Sequence, residues 1–204
     1  LKPPAVKPSL SNDCKFPGLK SNEFLLSCGR LTSYKSFETL IYSFNNIKSN
    51  LKLVIVGNGS LNFYLHKTIQ DLGLQDKIFI FNDVDNEQLN WLYSNCFCFC
   101  LASKSRAEAF GVVLIEALSF SKPLITSDIP GSGMNFVNKE FYTGLYCEPD
   151  NPESFSNAIN KLNAEPILFK KFTVNAGSHF DKHFSSDLDG KYFNQLKSLL
   201  FNES

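Results

Sequence analysis

Short apolar runs recur along this chain, and most are followed by a segment with helical periodicity. No other feature constrains the fold as much. The strongest run is LKLVIVG at 51–57; EFLLSCG (23–29), KIFIFN (77–82), CFCFCLA (96–102), PLITSD (123–128) and GLYC (144–147) share its character. The intervening and following spacing predicts helices over 35–47, 60–73, 86–95, 111–120, 151–163, 165–180 and 186–200. In the first of these, Phe37, Leu40, Ile41 and Phe44 fall on one face. Gly73 marks a helix end, and Asn151 followed by Pro152 marks a helix start. Strands that are apolar throughout need cover on both faces. The expectation is therefore α/β: a doubly wound, Rossmann-like parallel sheet that binds its ligands beyond the carboxyl ends of the strands.

A chain of 204 residues makes one domain or a little more. At this size it buries about 70% of its unfolded surface, so the core needs no staples. Residues 1–22 hold four of the nine prolines and have no periodicity, and they read as a linker or irregular lead-in. Residues 23–180 then form the domain, and 181–204 a C-terminal helix packing back toward the domain interface. The 20 basic and 20 acidic residues cancel, which argues against a protein working mainly through a polyphosphate surface; no nucleic acid is expected as partner. No apolar stretch is long enough to span a membrane.

The six cysteines are Cys14, Cys28, Cys96, Cys98, Cys100 and Cys147. Three alternate along NCFCFCLA, so they are expected on one face of a strand with Phe97 and Phe99 on the other. Structural zinc favours C-x2-C knuckles, so these read as buried thiols in a reducing compartment. His66, His179 and His183 lack ligand spacing and read as surface or satisfied core residues, and Trp91 reads as core.

Three segments carry chemistry. VGNGSLN (57–63) offers Gly57 and Gly59 but Asn62 where a dinucleotide fingerprint needs a third glycine, so it reads as a tight strand-to-helix turn. CGRLTSYKSF (28–37) places Arg30 and Lys35 just past the first strand, where two cations beside a helix start can clamp a diphosphate. The bland alternative is two surface charges. SRAEAFGVVLIEALSF (105–120) sets Glu108 before a helix and Glu116 within its apolar run. An inward-facing carboxylate there needs a partner, and a sugar or ribose diol would be one. The alternative is a helix-capping Glu108 and an ordinary Glu116. Asp128 ends a strand at the same edge, where it could approach a ligand, and PGSGMN (130–135) reads as a flexible loop that could border a bound sugar.

These segments, with GRLTSYKSFETLI, LKLVIVGNGSL, KPLITSDIPGSG and VNKEFYTGLYCEPDNPESFSNAI in order, resemble the family 4 retaining nucleotide-sugar glycosyltransferases of GT-B fold. The likeness runs from about residue 24 to residue 163 and covers only the C-terminal, donor-binding half. It implies diphosphate contacts from Arg30 and Lys35, ribose contacts from Glu116, and donor-sugar contacts from Glu108 aided by the amides near Ala109, Phe110 and Gly111. It implies catalytic roles for Arg30, Lys35 and Glu108. It implies donor binding by Gly29, Arg30, Lys35, Phe81, Ala109, Phe110, Gly111, Val112 and Glu116, with the base near Phe79 to Val84. Transfer from a GDP- or UDP-hexose would retain configuration, need no metal or other cofactor, and reach a saccharide or lipid-linked acceptor, as in transferases building bacterial surface polysaccharides.

The resemblance also implies a missing N-terminal acceptor domain, without which the fragment transfers little. It implies a cytoplasmic location, with peripheral association at the inner face of the membrane through the absent half left open. The alternative is a non-catalytic nucleotide-sugar-binding or scaffold domain that needs a separate acceptor-binding subunit. Three positions depart from the family pattern, since Ser36, Ala109 and Asn82 stand where glycine is frequent. Ser36 is expected to add bulk beside the phosphates.

Overall fold

The computed structural model describes residue 16 and residues 18–185. Six strands form one parallel sheet: β1 (Phe24–Cys28), β2 (Lys52–Val56), β3 (Ile78–Phe81), β4 (Cys98–Leu101), β5 (Leu124–Ser127) and β6 (Gly144–Cys147), in the order β3-β2-β1-β4-β5-β6. Leu25 pairs with Leu53 on one side and Cys98 on the other, and Ile125 with Cys100 and Leu145. Strand order reverses between β1 and β4, which is the switch point where such sheets open a crevice.

Helices α1 (Phe37–Ser43), α2 (Asn62–Asp71) and α6 (Pro152–Ala164) cover one face through Leu40, Ile41, Leu65, Ile69, Phe155 and Ile159. Helices α3 (Asn86–Asn95), α4 (Val112–Ser119) and α5 (Met134–Val137) cover the other through Trp91, Leu92, Tyr93, Leu114, Leu118 and Met134. Helix α7 (Pro166–His183) joins both cores, with Phe172 in the first and Ala176 in the second. The doubly wound α/β expectation holds.

The helix starts follow local chemistry. Asp85 accepts from the Gln88 amide at 2.8 Å while Gln88 accepts from the Asp85 amide at 3.0 Å, a capping box that fixes the start of α3. Asn151 accepts from the Ser154 amide at 3.0 Å ahead of Pro152 in α6.

Three local expectations need correction. Strand β4 begins only at Cys98, after a bend at Phe97, and the alternation breaks there. Cys98 and Cys100 share a core with Phe97, whereas Cys96 joins Phe99 in the opposite core, so the three thiols do not share a face. PGSGMN is not wholly loop, since Met134 opens the four-residue α5. Within the lead-in, Phe16 and Leu19 are buried, and the Phe16 ring sits 4.8 Å from that of Phe81. The expected helix over 186–200 and Cys14 lie outside the described residues, while α7 carries the chain as far as His183. No helix among the described residues is long and apolar enough to cross a membrane.

Candidate functional site

The loops after β1 and β4 meet at the switch point. Gly29 leaves β1, and Lys35 closes a short 3-10 turn (Ser33–Lys35) before α1. Glu108 comes from the loop between β4 and α4. Lys35 Nζ donates to Glu108 Oε2, and both residues are at least nine-tenths buried. Ser103 Oγ donates to the same carboxylate oxygen at 3.0 Å. Two residues 73 apart in sequence thus form one ion pair.

The loop after β5 braces this pair from the far side. Ser132 Oγ donates to the Glu108 carbonyl at 2.7 Å, and the Gly133 amide to the Ala109 carbonyl at 2.8 Å. Arg106 Nε donates to the Pro130 carbonyl at 3.0 Å, and Asn135 to Asp128 at 2.8 Å. Asp128 therefore has a structural partner at this edge.

Gly111 is the N-cap of α4 at φ 65, the left-handed region where glycine is favoured, and an added Cβ would meet Leu114 at 2.9 Å. Val112 follows it, exposed. The amides of Ala109, Phe110 and Gly111 donate no backbone hydrogen bond among the described residues. Together with the Val112 and Val113 amides of α4, they make a set of donors at a positive helix end, whereas the Leu114 amide already donates to the Gly111 carbonyl at 2.7 Å.

Arg30 is exposed and has no ion-pair partner among the described residues. Glu116 is half-buried on α4, and the Tyr93 hydroxyl donates to its Oε2 at 2.8 Å. Cys28, the last residue of β1, lies beside Tyr93 and Glu116, and burial first of all pushes both its thiol and the Tyr93 phenol up. Phe81 ends β3 at the same sheet edge, half-buried against Phe16, and its carbonyl accepts from the Gly57 amide at 3.0 Å.

The Gly57–Gly59 turn packs against the Gly29–Leu31 loop. An added Cβ on Gly57 would stand 1.9 Å from the Gly29 carbonyl oxygen, and the Leu31 amide donates to the Asn58 carbonyl at 2.9 Å. These glycines let two loops touch, which positions Arg30 and Lys35 indirectly. Asn82 Nδ2 donates to the Gly57 carbonyl at 2.9 Å and ties in the end of β3.

Ser36 does not turn its hydroxyl toward the crevice. It lies fully buried at φ 49, and its Oγ donates to Asp150 Oδ1 at 2.6 Å and bonds Thr39 Oγ1 at 2.9 Å. Lys104 approaches Asp150 at 3.5 Å and Glu38 at 3.6 Å, so this network fastens the loop after β1 to those after β4 and β6.

Among the described residues no group of three or more His, Cys, Asp or Glu is arranged to hold a metal ion, and Asp85 is engaged in its capping box. A groove of about 800 Å³ runs beside β3 and α2, lined by Phe63, His66, Gln70, Phe79 and Phe81 among others.

Sequence reasoning named Lys35 and Glu108 separately and missed their pairing. It also missed Ser103, Ser132 and Asp150, whose polar side chains carry no periodic or motif signal. It placed Tyr93 inside a helix without assigning it a task.

The fold and this edge define a class: the chain is an α/β domain corresponding to roughly half of a two-domain GT-B glycosyltransferase fold. Residues 13–179 match the family described as glycosyl transferases group 1, and the chain belongs to that family. This corrects the assignment to family 4. Two cations and a spaced pair of glutamates are too general a pattern to separate numbered families.

The chain is 29% identical over 184 residues to the O-antigen chain mannosyltransferase C of Escherichia coli, covering 90% of this chain and 48% of that protein. It thus spans about half the length of this curated relative. Among solved structures, Anabaena Alr3699/HepE in complex with UDP-glucose superposes with a TM-score of 0.76 at 20% identity, over 87% of this chain and 49% of that one. Sucrose-phosphate synthase from Thermosynechococcus elongatus gives a TM-score of 0.76 at 25% identity, over 90% of this chain and 46% of that one.

Proposed function

We propose that this chain is the donor-binding half of a hexosyltransferase that takes a UDP- or GDP-hexose. The observation that carries the reading is the buried Lys35–Glu108 pair at the β1/β4 switch point, beside unengaged amides at the start of α4. Arg30, Lys35 and those amides supply positive potential for a leaving diphosphate, which electrostatic catalysis of this transfer requires. Glu108 accepts from donor-sugar hydroxyls and Glu116 from ribose hydroxyls. Gly29, Ala109, Phe110, Gly111 and Val112 allow backbone approach, and Phe81 walls the base side.

Similarity to a protein crystallised with UDP-glucose and to a mannosyltransferase of O-antigen chains supports the substrate class. The acceptor, a saccharide or lipid-linked saccharide, would be held by a second lobe. Retention of configuration is the expected course of the transfer, and the anomeric configuration of the product, read by NMR, checks it.

The two glutamates provide the test of the site. Calorimetric titration of Glu116→Gln should weaken binding of UDP or GDP with or without the sugar. Glu108→Gln should leave the nucleotide diphosphate nearly as before and weaken the nucleotide sugar. Comparing the two ligands within one variant cancels any general loss of stability. Wild-type protein that binds neither UDP, GDP nor their hexoses would refute the reading, and a Glu108→Gln variant with the wild-type ligand ratio would remove the sugar contact.

A further inference from the structure

The Tyr93 side chain crosses the core to end at a ligand-facing carboxylate. Helix α3 carries it on the face it packs toward the sheet, and only 2% of the residue is exposed. Its ring stacks between Phe99 of β4, at 5.6 Å, and Phe120 after α4, at 5.5 Å. The hydroxyl emerges at the end of β1 beside Cys28, near the Val113 carbonyl at 3.5 Å, and donates to Glu116 Oε2 at 2.8 Å. Glu116 Oε1 has no hydrogen-bond partner among the described residues and is not sealed from solvent. One carboxylate oxygen is thus tethered while the other is left for a ligand.

We propose that Tyr93 is a positioning residue for Glu116: its hydroxyl holds Oε2 so that Oε1 is presented to the ribose diol of the donor nucleotide. This deepens the reading of the same site and rests on it. A glutamate has three rotatable side-chain bonds, and on a half-buried helical face it can turn its carboxylate toward water. A charge-assisted hydrogen bond from a phenol locked between two aromatic rings removes that freedom before the ligand arrives. An ordinary buried tyrosine needs only some partner for its hydroxyl. Here the partner is the one carboxylate on α4, at the sheet edge where the strand order reverses.

The test uses Tyr93→Phe, which keeps the ring stack and removes only the hydroxyl. Affinities are measured for whichever of UDP and GDP binds the wild type more tightly, for its 2′,3′-dideoxy analogue, and for inorganic pyrophosphate. The variant should bind the nucleotide diphosphate about tenfold more weakly. Its pyrophosphate and dideoxy affinities should be unchanged, so its preference for the intact ribose shrinks. In a Glu116→Gln background the same substitution should shift ribose preference far less, because the partner it acts through has lost its charge. Equal binding of the nucleotide by wild type and Tyr93→Phe overturns the proposal. So does a uniform loss across all three ligands, which would mark a purely structural residue. If wild type itself binds no nucleotide diphosphate, the donor-domain reading fails first and the proposal falls with it. Thermal melting confirms that both variants are folded.

Discussion

Ser36 offers a test of how the basic loop is held. The residue sits in the left-handed region at φ 49 and ψ 44, where an L-residue with a Cβ costs about 1–2 kcal/mol. Two hydrogen bonds offset that cost. The bond to Asp150 is charge-assisted, but the Asp150 side chain is 54% exposed, so it contributes about 1 kcal/mol, below the range for buried charged partners. The bond to Thr39 adds about 0.5–1 kcal/mol. Ser36→Ala removes both bonds and keeps the strain, so it should cost about 2 kcal/mol. Ser36→Gly removes the same bonds but relieves the strain, partly offset by the roughly 0.4–1 kcal/mol that glycine adds to unfolded-chain freedom. It should cost about 1 kcal/mol.

Urea unfolding followed by circular dichroism reads the order directly. With m near 2 kcal/mol/M, the two variants should differ by about 0.5 M in midpoint, glycine being the higher. An alanine variant at least as stable as the glycine variant would show that residue 36 relaxes out of the left-handed region. An alanine variant at wild-type stability would show that the network through Asp150 contributes nothing.

Three further outcomes follow from the site. Arg30→Ala should weaken binding of a nucleotide diphosphate more than of the nucleoside without loss of stability, since Arg30 is exposed; Lys35→Ala should do the same and also destabilise by about 3 kcal/mol, because it leaves Glu108 buried without its cation. Calorimetry and urea titration separate the two effects, and equal losses for nucleotide and nucleoside would remove both residues from the diphosphate. Binding of UDP or GDP, and sugar transfer by the complete enzyme, should survive EDTA; a strict requirement for magnesium or manganese would make Asp83 and Asp85, which flank Val84 after β3, candidate ligands. Burial, ahead of the nearby cations, lowers the pKa of His179, whose ring contacts the Phe136 carbonyl at 3.2 Å. The unfolded chain then binds the proton more readily, so stability should be full above about pH 6.5 and fall as pH drops through that value toward the lower folded pKa. His179→Gln should flatten that slope, with the contribution of His183 remaining.

The sheet was legible because each strand is a continuous apolar run between turn residues, a pattern that local sequence carries. Helix α3 matched its expected span of 86–95, since the Asp85–Gln88 box sits at its start. What escaped depended on contacts between distant residues. Cys96 changed sides because the chain bends at Phe97, where alternation alone implies a straight strand. Phe16 and Leu19 stand among prolines with no period to announce them; the Phe16 ring is core because it packs against Phe81 and Trp91. Helix α5 is a single turn, too short for any periodicity to register.

The site divides along the same line. Residue types and spacing were enough to single out Arg30, Lys35, Glu108 and Glu116, but not to show that the two middle residues bind each other. That pairing bears on which ligands suit the crevice. A buried ion pair gains little net stability over apolar packing, so its presence is weak evidence of a structural role. Its groups are left incompletely satisfied: an ammonium has three donors and Glu108 more acceptor sites than Lys35 and Ser103 occupy. A ligand that completes both must bring an anion for Lys35 and hydroxyl donors for Glu108, placed a few ångströms apart. A free nucleotide diphosphate supplies only the first, and a free hexose only the second. A hexose joined to a diphosphate supplies both at a fixed spacing. On the proposed reading the pair would favour the intact donor over either of its pieces, and the products separated by transfer would each hold the site less well.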